Sequence, residues 1–378
     1  LFGVSTSLSG DIAVIGASQS SLTGSYNFAG AAYVYRNVSG RTGTTTEDLK
    51  LRPSDLQLND FFGQAVSIQG NIAVVSSPAD NARGVDRSGS AYLFRNLDSG
   101  TGTRNESAKL VASDGQSLDR LGDSISLSGN NVLIGAASHD IAGKSDQGAA
   151  YLFTGLDSAT GTITETTKVY ASDGLASDGF GNAVSLDGDL FVIGAKLGDT
   201  TDTNTGKAYA GTVSSITTLD VGNATRLISG VSFESRTDWV IGLTTDANQV
   251  TLTAGDTATL TDASKSLVIG QNAGSDGNTL IAHGTINATT IQIGATGNTG
   301  NLLQLSGSSV FYTDLIIIAA GNSLSIEGDL TGDGALGAYL DGTVLEARDA
   351  TGNLTAITDE NQSEHLTSTY SSGYTTRT

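Results

Sequence analysis

The sequence predicts an all-β protein in two parts: a β-propeller of four-stranded blades over residues 1–219 and a short parallel β-helix of about four rungs over 220–348. A polar tail or capping strand follows over 349–378. Two periods and a composition carry this reading. Gly3, Gly63, Gly122 and Gly181 head four copies of one pattern, the last three 59 residues apart (122 − 63 and 181 − 122). Beyond residue 220 a shorter period takes over, marked by Val240-Ile241-Gly242, Val268-Ile269-Gly270, Gln292-Ile293-Gly294 and Ile316-Ile317-Ile318, at steps of 28, 24 and 24. The chain carries 49 Gly, only 2 Pro and 15% charged residues, which is a turn-rich, all-β composition.

Each copy predicts four strands in order. The first alternates, with Val66 and Ile68 against Ser67 and Gln69, so that one face is buried. A tight turn follows at Gly10-Asp11, Gly70-Asn71, Gly129-Asn130 and Gly188-Asp189, where glycine next to Asn or Asp is a two-residue hairpin signal. The second strand, such as Ile72-Ala73-Val74-Val75, is apolar on both faces and has to be covered on both sides. A polar loop then leads to a third strand anchored at Tyr33, Tyr92, Tyr151 and Tyr209, at steps of 59, 59 and 58. The fourth strand carries Lys50-Leu51, Lys109-Leu110 and Lys168-Val169, and Ile216-Thr217-Thr218-Leu219 takes its place in the last copy.

These copies resemble FG-GAP repeats, the blades of integrin-α-type β-propellers, in their bacterial version. The residues that carry the resemblance are Ala171-Ser172-Asp173-Gly174, Asp178-Gly179-Phe180-Gly181, Asp187-Gly188-Asp189 and Gly206-Lys207-Ala208-Tyr209. Leu121 replaces the phenylalanine in the third copy. Four copies stand where such propellers more often close seven, which implies a four-bladed ring or further blades upstream. Leu1 falls inside the pattern and is read as a processed or truncated start. In the second part each apolar triplet is followed by a polar corner and a further strand, as at Asn278-Thr279-Leu280-Ile281, which fits stacked rungs. That part resembles the passenger-type solenoids of bacterial autotransporters.

Aspartates recur at the blade boundaries: Asp55, Asp114 and Asp173, and five residues further on Asp60, Asp119 and Asp178. Two readings compete for them. Ca²⁺, a hard cation, takes several carboxylate and carbonyl oxygens in a turn. Alternatively, Ser-Asp-Gly is an Asx-turn in which the side chain bonds its own backbone. The Asp-x-Asp-x-Asp-Gly calcium loop of integrin-like blades is reproduced in no copy. Asp329-Leu330-Thr331-Gly332-Asp333-Gly334 resembles the opening of an EF-hand loop but has Leu340 at the twelfth position, where an acid is needed. His139, His283 and His365 lie beside no repeated acid or serine, and no convergent catalytic set is visible. Trp239 is expected to cap the apolar core of the second part, with carbohydrate stacking as the alternative.

A net charge of −20 repels phosphate backbones and anionic lipid, so no nucleic-acid partner is expected. The chain has no Cys and no Met, and no apolar run long enough to span a membrane. These features predict an extracellular or cell-surface structural or adhesive protein that self-associates into a filament or sheath, or binds other surface proteins or glycans. The alternative is a monomeric binding module using the loops Gln19–Phe28, Asp80–Ser88 and Gly198–Thr205, which differ between copies. A polysaccharide lyase or hydrolase is the third expectation.

Overall fold

The computed structural model describes residues 1–21, 28–199, 204–216, 218–219, 225–242, 245, 247–253, 256–262, 264–272, 275–295, 299–306, 310–313, 315–319, 322–327 and 344–348. Among these the fold is all-β, with one four-residue helix at Val213–Ile216 and short 3-10 turns at Val38–Gly40 and Ala82–Gly84. The chain divides into two compact units, Leu1–Ala210 and Gly211–Thr378.

The second repeat shows how the sequence builds the first unit. In Val66–Gln69 the two apolar side chains are buried on one face, and Ser67 and Gln69 lie on the other, toward the following repeat. Gly70 then takes φ 59°, a left-handed conformation that only glycine adopts without steric cost, and the chain reverses into Ile72–Ser77 with Gln69 opposite Ile72. Ile72–Ser77 is buried from Ala73 onward and pairs antiparallel with Ser90–Phe94, which pairs antiparallel with Ala108–Val111. The first repeat (Ser5–Ser9, Ile12–Ala17, Ala31–Arg36, Leu49–Leu51) and the third (Ser124–Ser128, Asn131–Ala136, Ala149–Phe153, Thr167–Ala171) follow the same order. The fourth has three strands, Phe180–Asp187, Leu190–Ala195 and Lys207–Thr212.

Two features depart from the expected strand plan. Val213–Ile216 is helical, and Thr218–Leu219 pairs in parallel with Trp239–Ile241 instead of completing the fourth repeat. The Lys-Leu pair that marks the fourth strand elsewhere is absent here. The repeats also contain an extra strand. Gly102–Arg104 of the second repeat pairs in parallel with Leu49–Leu51 of the first, and Gly161–Thr164 of the third pairs in parallel with Ala108–Val111 of the second. The second and third repeats thus each lend a strand to the outer edge of their predecessor, which covers an edge that would otherwise be free to pair elsewhere.

Successive repeats also interlock along their first strands. Ser7 Oγ accepts the N–H of Ile68 (3.1 Å), Ser67 Oγ that of Leu127 (3.0 Å) and Ser126 Oγ that of Leu186 (2.9 Å). Two residues further along, Ser9, Gln69 and Ser128 accept the N–H groups of Gly70, Gly129 and Gly188. Beneath the third strands, Gly30, Gly89 and Gly148 hold φ of 94°, 83° and 87°. A Cβ on them would fall 2.0 Å from the carbonyl oxygen of Phe62, 2.3 Å from the nitrogen of Leu121 and 2.1 Å from the carbonyl oxygen of Phe180. The aromatic-glycine pair that opens a repeat is therefore a plug, and the glycine three residues before the tyrosine of the preceding repeat is its socket. Leu121 fills the plug position fully buried, so the missing phenylalanine leaves the junction intact. This arrangement of repeated sheets is compatible with a propeller.

In the second unit the chain visits three parallel ladders in turn. The first contains Trp239–Ile241, Ser266–Ile269, Thr290–Ile293, Leu315–Ala319 and Val344–Arg348. The second runs through Thr225–Ile228, Gln249–Leu252, Thr279–Ala282, Leu302–Ser306 and Ser323–Glu327. The third contains Val231–Ser235, Thr257–Leu260, Thr285–Asn287 and Val310–Tyr312. Alternate side chains, among them Val250, Leu252, Leu280, Leu303, Ile269 and Ile293, are buried between the ladders. Trp239 is neither a cap nor a sugar platform. It is fully buried, meets Phe233 edge-on at 5.1 Å, and lies between Thr218–Leu219 and Ser266–Ile269 in its ladder. The loop Asp329–Leu340, His365 and the segment 349–378 lie outside the described residues.

Candidate functional site

The polar residues that repeat with the strands converge at the junctions between repeats. In the second repeat the hydroxyl of Tyr92 donates to Asp55 Oδ1 at 2.9 Å, and Lys109 Nζ lies 2.6 Å from Asp55 Oδ2 and 2.7 Å from Asp80 Oδ2. In the third, Tyr151 donates to Asp114 Oδ1 at 3.0 Å and Lys168 Nζ to Asp114 Oδ2 at 2.8 Å. In the fourth, Tyr209 donates to Asp173 Oδ1 at 2.7 Å and the ammonium comes from Lys207, on the tyrosine's own strand, at 2.9 Å. Lys207 fills in for the fourth-strand lysine that this repeat lacks. Fold geometry thus joins an aspartate loop, a third-strand tyrosine and a fourth-strand lysine, which the sequence shows as three separate series at the same spacing.

The six aspartates divide into two structural roles. Asp55, Asp114 and Asp173 bind a tyrosine hydroxyl and a lysine ammonium. Asp60, Asp119 and Asp178 accept the backbone N–H three residues earlier, from Gln57 (2.5 Å), Gln116 (2.6 Å) and Leu175 (2.8 Å), and fix the loop ahead of the plug. The second set therefore forms turns as well, and Asp173 of Ser-Asp-Gly bonds its own backbone. Among the described residues no group of three or more His, Cys, Asp or Glu is placed to hold a metal ion. At Asp55, Asp114 and Asp173 a lysine ammonium lies against the carboxylate.

His139 corrects a further expectation. Its Nδ1 is 2.8 Å from Asp119 Oδ2 and its Nε2 is 3.5 Å from Asp114 Oδ2, with the ring edge-on to Tyr151 at 5.8 Å. It stands where the second repeat has Asp80 (139 − 80 = 59), beside repeated acids that are remote in sequence. A glutamate also escaped notice. Glu106 accepts from the N–H (2.9 Å) and hydroxyl (2.6 Å) of Ser54, and Glu165 receives the same pair of bonds from Ser113. The spacing Glu106-x-x-Lys109 and Glu165-x-x-Lys168 was the available signal.

The electrostatics follow from burial and pairing. Burial works to raise the carboxyl of Asp114, but Lys168 and His139, with the hydrogen bonds from Lys168 and Tyr151, hold it below its ordinary range. Burial likewise opposes the charge on Lys109, and Asp55 and Asp80 outweigh it and hold the ammonium above its usual value. Burial pushes the hydroxyls of Tyr92, Tyr151 and Tyr209 upward, so they remain donors. Asp60 differs: burial, reinforced by the charges of Asp80 and Asp55, raises it from 3.8 to about 6, against the Gln57 N–H and Lys109.

A testable pH dependence results. Because Asp60 binds its proton more tightly folded than unfolded, stability rises as pH falls from about 6 toward 3.8. Asp114 and Asp173, held low in the fold, lose their contribution as pH falls further. Urea midpoints of the wild type are expected to peak between these windows. Asp60→Asn is expected to reduce the upper rise by about 1–3 kcal/mol, the remainder coming from Asp123 and Glu165, which burial also raises, and to leave the acid limb in place.

The loops after the second strands share a closure despite their different sequences. Asn81 Oδ1 accepts the N–H of Arg87 (2.9 Å), Asp140 Oδ1 that of Asp146 (2.8 Å) and Asp199 Oδ1 that of Asn204 (2.5 Å). The loop Asp80–Ser88 lines a recess of about 290 Å³ with Ala112, Ser113, Asp114 and Gly115. Parts of the loops at 22–27 and 200–203 lie outside the described residues.

Comparison with known families matches residues 45–94, 105–153 and 163–210. All three segments match the FG-GAP repeat. Each matched segment begins at or just before the fourth strand of one structural repeat and ends with the third strand of the next, so it holds one aspartate loop together with its tyrosine. The lysine that completes each of the first two clusters lies in the following segment, which explains why the cluster is not visible within a single FG-GAP repeat. FG-GAP repeats point to a surface or adhesion-type β-propeller module and are typical of extracellular proteins. No helix among the described residues is long and apolar enough to cross a membrane. No curated protein matches the chain.

Proposed function

We propose that this is an extracellular, non-enzymatic protein of a bacterial cell surface, in which the FG-GAP repeats form propeller blades and the parallel ladders form an autotransporter-like β-helix. In this reading it serves adhesion or surface structure and self-associates into a filament or sheath. The observation that supports it is the use made of the repeated polar residues. The aspartates, tyrosines, lysines and His139, whose types would suit a metal or catalytic centre, are bound to one another at the repeat junctions. Rigid repeats whose polar side chains hold the scaffold suit load-bearing or display.

Negative-stain electron microscopy of the purified chain, with Ca²⁺ and with chelator, tests the self-association. Ordered filaments in both conditions are expected, since lysine ammonium groups occupy the repeated carboxylates. Discrete particles at every concentration would overturn the polymer reading. A second reading, a monomeric module that binds a surface protein or glycan through its loops, draws support from the recess beside Asp80–Ser88. Glycan and surface-protein arrays test it, and substitution of Arg83, on the rim of that recess, is expected to abolish any binding found.

A further inference from the structure

The recess beside Asp80–Ser88 marks a place that the following repeat fills with an amide of its own. The third repeat carries Gln147 where the second carries Ser88 (88 + 59 = 147). Gln147 is 1% exposed, and its Nε2 donates to the carbonyl oxygen of Ala171 at 2.8 Å. The carboxamide lies tight against the Ser172-Asp173-Gly174 loop: a Cβ on Gly174 would fall 2.4 Å from Nε2 and 2.8 Å from the carboxamide carbon. Its Oε1, by contrast, is buried with no hydrogen-bond partner among the described residues.

The second repeat keeps this frame and lacks the amide. Gly115 stands where Gly174 does (115 + 59 = 174). The nearest atoms to a Cβ on it would be Ser88 Cβ at 3.5 Å, Ala112 Cβ at 3.6 Å and the Ala112 oxygen at 3.6 Å, all ordinary contact distances. Ser88 donates its hydroxyl to the Ala82 carbonyl at 3.2 Å. The carbonyl oxygen of Ala112, the counterpart of Ala171, accepts no hydrogen bond among the described residues. A cation braces the aspartate loop at both junctions: Arg83 donates to the Ser113 carbonyl at 2.9 Å and Lys144 to the Gly174 carbonyl at 2.6 Å. The two cations come from different loop positions, and Ala142 stands where Arg83 does (83 + 59 = 142). The recess of about 290 Å³ therefore offers a carboxamide the acceptor that Gln147 finds. It adds what Gln147 lacks, an exposed guanidinium with N–H groups to spare for the amide oxygen.

We propose that this recess binds the side-chain amide of a glutamine presented by a partner protein. The amide N–H donates to the Ala112 carbonyl, as Gln147 Nε2 does to that of Ala171, and the amide oxygen accepts from Arg83. The methylene stem meets Ala82 and Val85, which also line the recess. Glutamine is the occupant because a glutamine side chain already holds the equivalent place one repeat further on. A glutamate of the same length is rejected, since its carboxylate brings no N–H to Ala112 and would stand near the Asp114 carboxylate in a chain of net charge −20. Sites of this kind take their affinity from burial and their specificity from a few placed polar groups.

The inference names the chemistry of the loop-binding reading above and rests on it. The test uses the full chain and, as probe, a blocked alanine-rich peptide with one central glutamine, followed by saturation-transfer NMR. Glutamate in place of the glutamine is expected to weaken binding at least tenfold. Ser88→Gln gives the second repeat the side chain that the third already has, so it is expected to fill the recess, leave circular dichroism unchanged and weaken peptide binding at least tenfold. Gly115→Ala is a second block. Gly115 lies outside the positive-φ region, so a methyl group fits its backbone and projects beside the Ala112 oxygen. Equal binding of the glutamate peptide, no binding of the glutamine peptide, or undiminished binding by both variants would overturn the inference. An N-acetylated sugar that binds in place of the peptide, and is lost in Ser88→Gln, would overturn the protein partner and give the recess to a glycan. A ligand from the arrays that binds Ser88→Gln as well as wild type would overturn this site and leave loop binding standing. No ligand on the arrays and no peptide binding would overturn both.

Discussion

Asp114→Ala is expected to destabilise the FG-GAP unit by about 2–3 kcal/mol, read as a fall in the thermal and urea midpoints of that unit. The carboxylate is the hub of its junction: Lys168, Tyr151 and His139 all address it, and Tyr151 and His139 are themselves buried. Removing it deprives a largely buried ammonium and a fully buried hydroxyl of this acceptor. The loss is that of breaking an ion pair whose ammonium is buried and whose carboxylate is 35% exposed, which exceeds what the intact pair contributes over an apolar replacement. Two controls isolate this cause. Asp114→Ala combined with Lys168→Met removes both charges and is expected to recover most of the loss. Asp173→Ala, where the carboxylate is about half exposed (53%) and pairs with Lys207, is expected to cost about 1 kcal/mol or less. An Asp114→Ala loss no larger than that of Asp173→Ala would show that the junction clusters do not hold the repeats together.

The contrast between these positions also shows what the sequence made legible. Hairpins were readable because their determinants are adjacent: Gly70 and Asn71 specify a turn, and alternation in Val66–Gln69 specifies a face. The junction clusters were not, because Asp114, Tyr151 and Lys168 lie 37 and 54 residues apart and meet only after the sheets have stacked. Their shared spacing was visible, but the same spacing served equally well to mark strands. His139 was opaque for a related reason, since it replaces Asp80 at one repeat only and carries no period of its own. Gly161–Thr164 was missed because a short, exposed Gly-Thr segment has no burial pattern, and its order comes from the neighbouring strand Ala108–Val111. Conversely, Gly242, Gly270 and Gly294, which close three of the four triplets of the second unit, were read only as markers of the period, when each makes room for an asparagine side chain further along the chain.

That side chain belongs to a ladder of asparagines, and its interruption is the second large effect expected. Asn278 accepts from the N–H (3.0 Å) and Nδ2 (2.9 Å) of Asn248, and donates its own N–H (3.0 Å) and Nδ2 (3.0 Å) to Asn301 Oδ1; Asn301 donates in the same way to Asn322. Asn248, Asn278 and Asn301 are fully buried, so no water replaces a lost partner. Gly242, Gly270 and Gly294, all with positive φ, lie against these carboxamides, and a Cβ would fall 2.3 Å from Asn278, 2.5 Å from Asn301 and 2.1 Å from Asn322. Asn278→Ala removes the acceptor of two buried donors on Asn248 and half of the supply to Asn301. At roughly 1–3 kcal/mol for each buried group left unsatisfied, about 3 kcal/mol or more is expected. Asn278→Asp keeps the acceptor for Asn248 but sets a buried carboxylate against Asn301 Oδ1, so it is expected to be as damaging at neutral pH and to improve on acidification, as protonation restores a donor. Hydrogen exchange locates the effect. The amides of Thr279–Ala282 and Gln249–Leu252 are expected to lose protection while the FG-GAP unit keeps its own, since stacked repeats open locally from the damaged coil. Uniform loss across both units would mean that the ladder supports the whole chain and not its own stack.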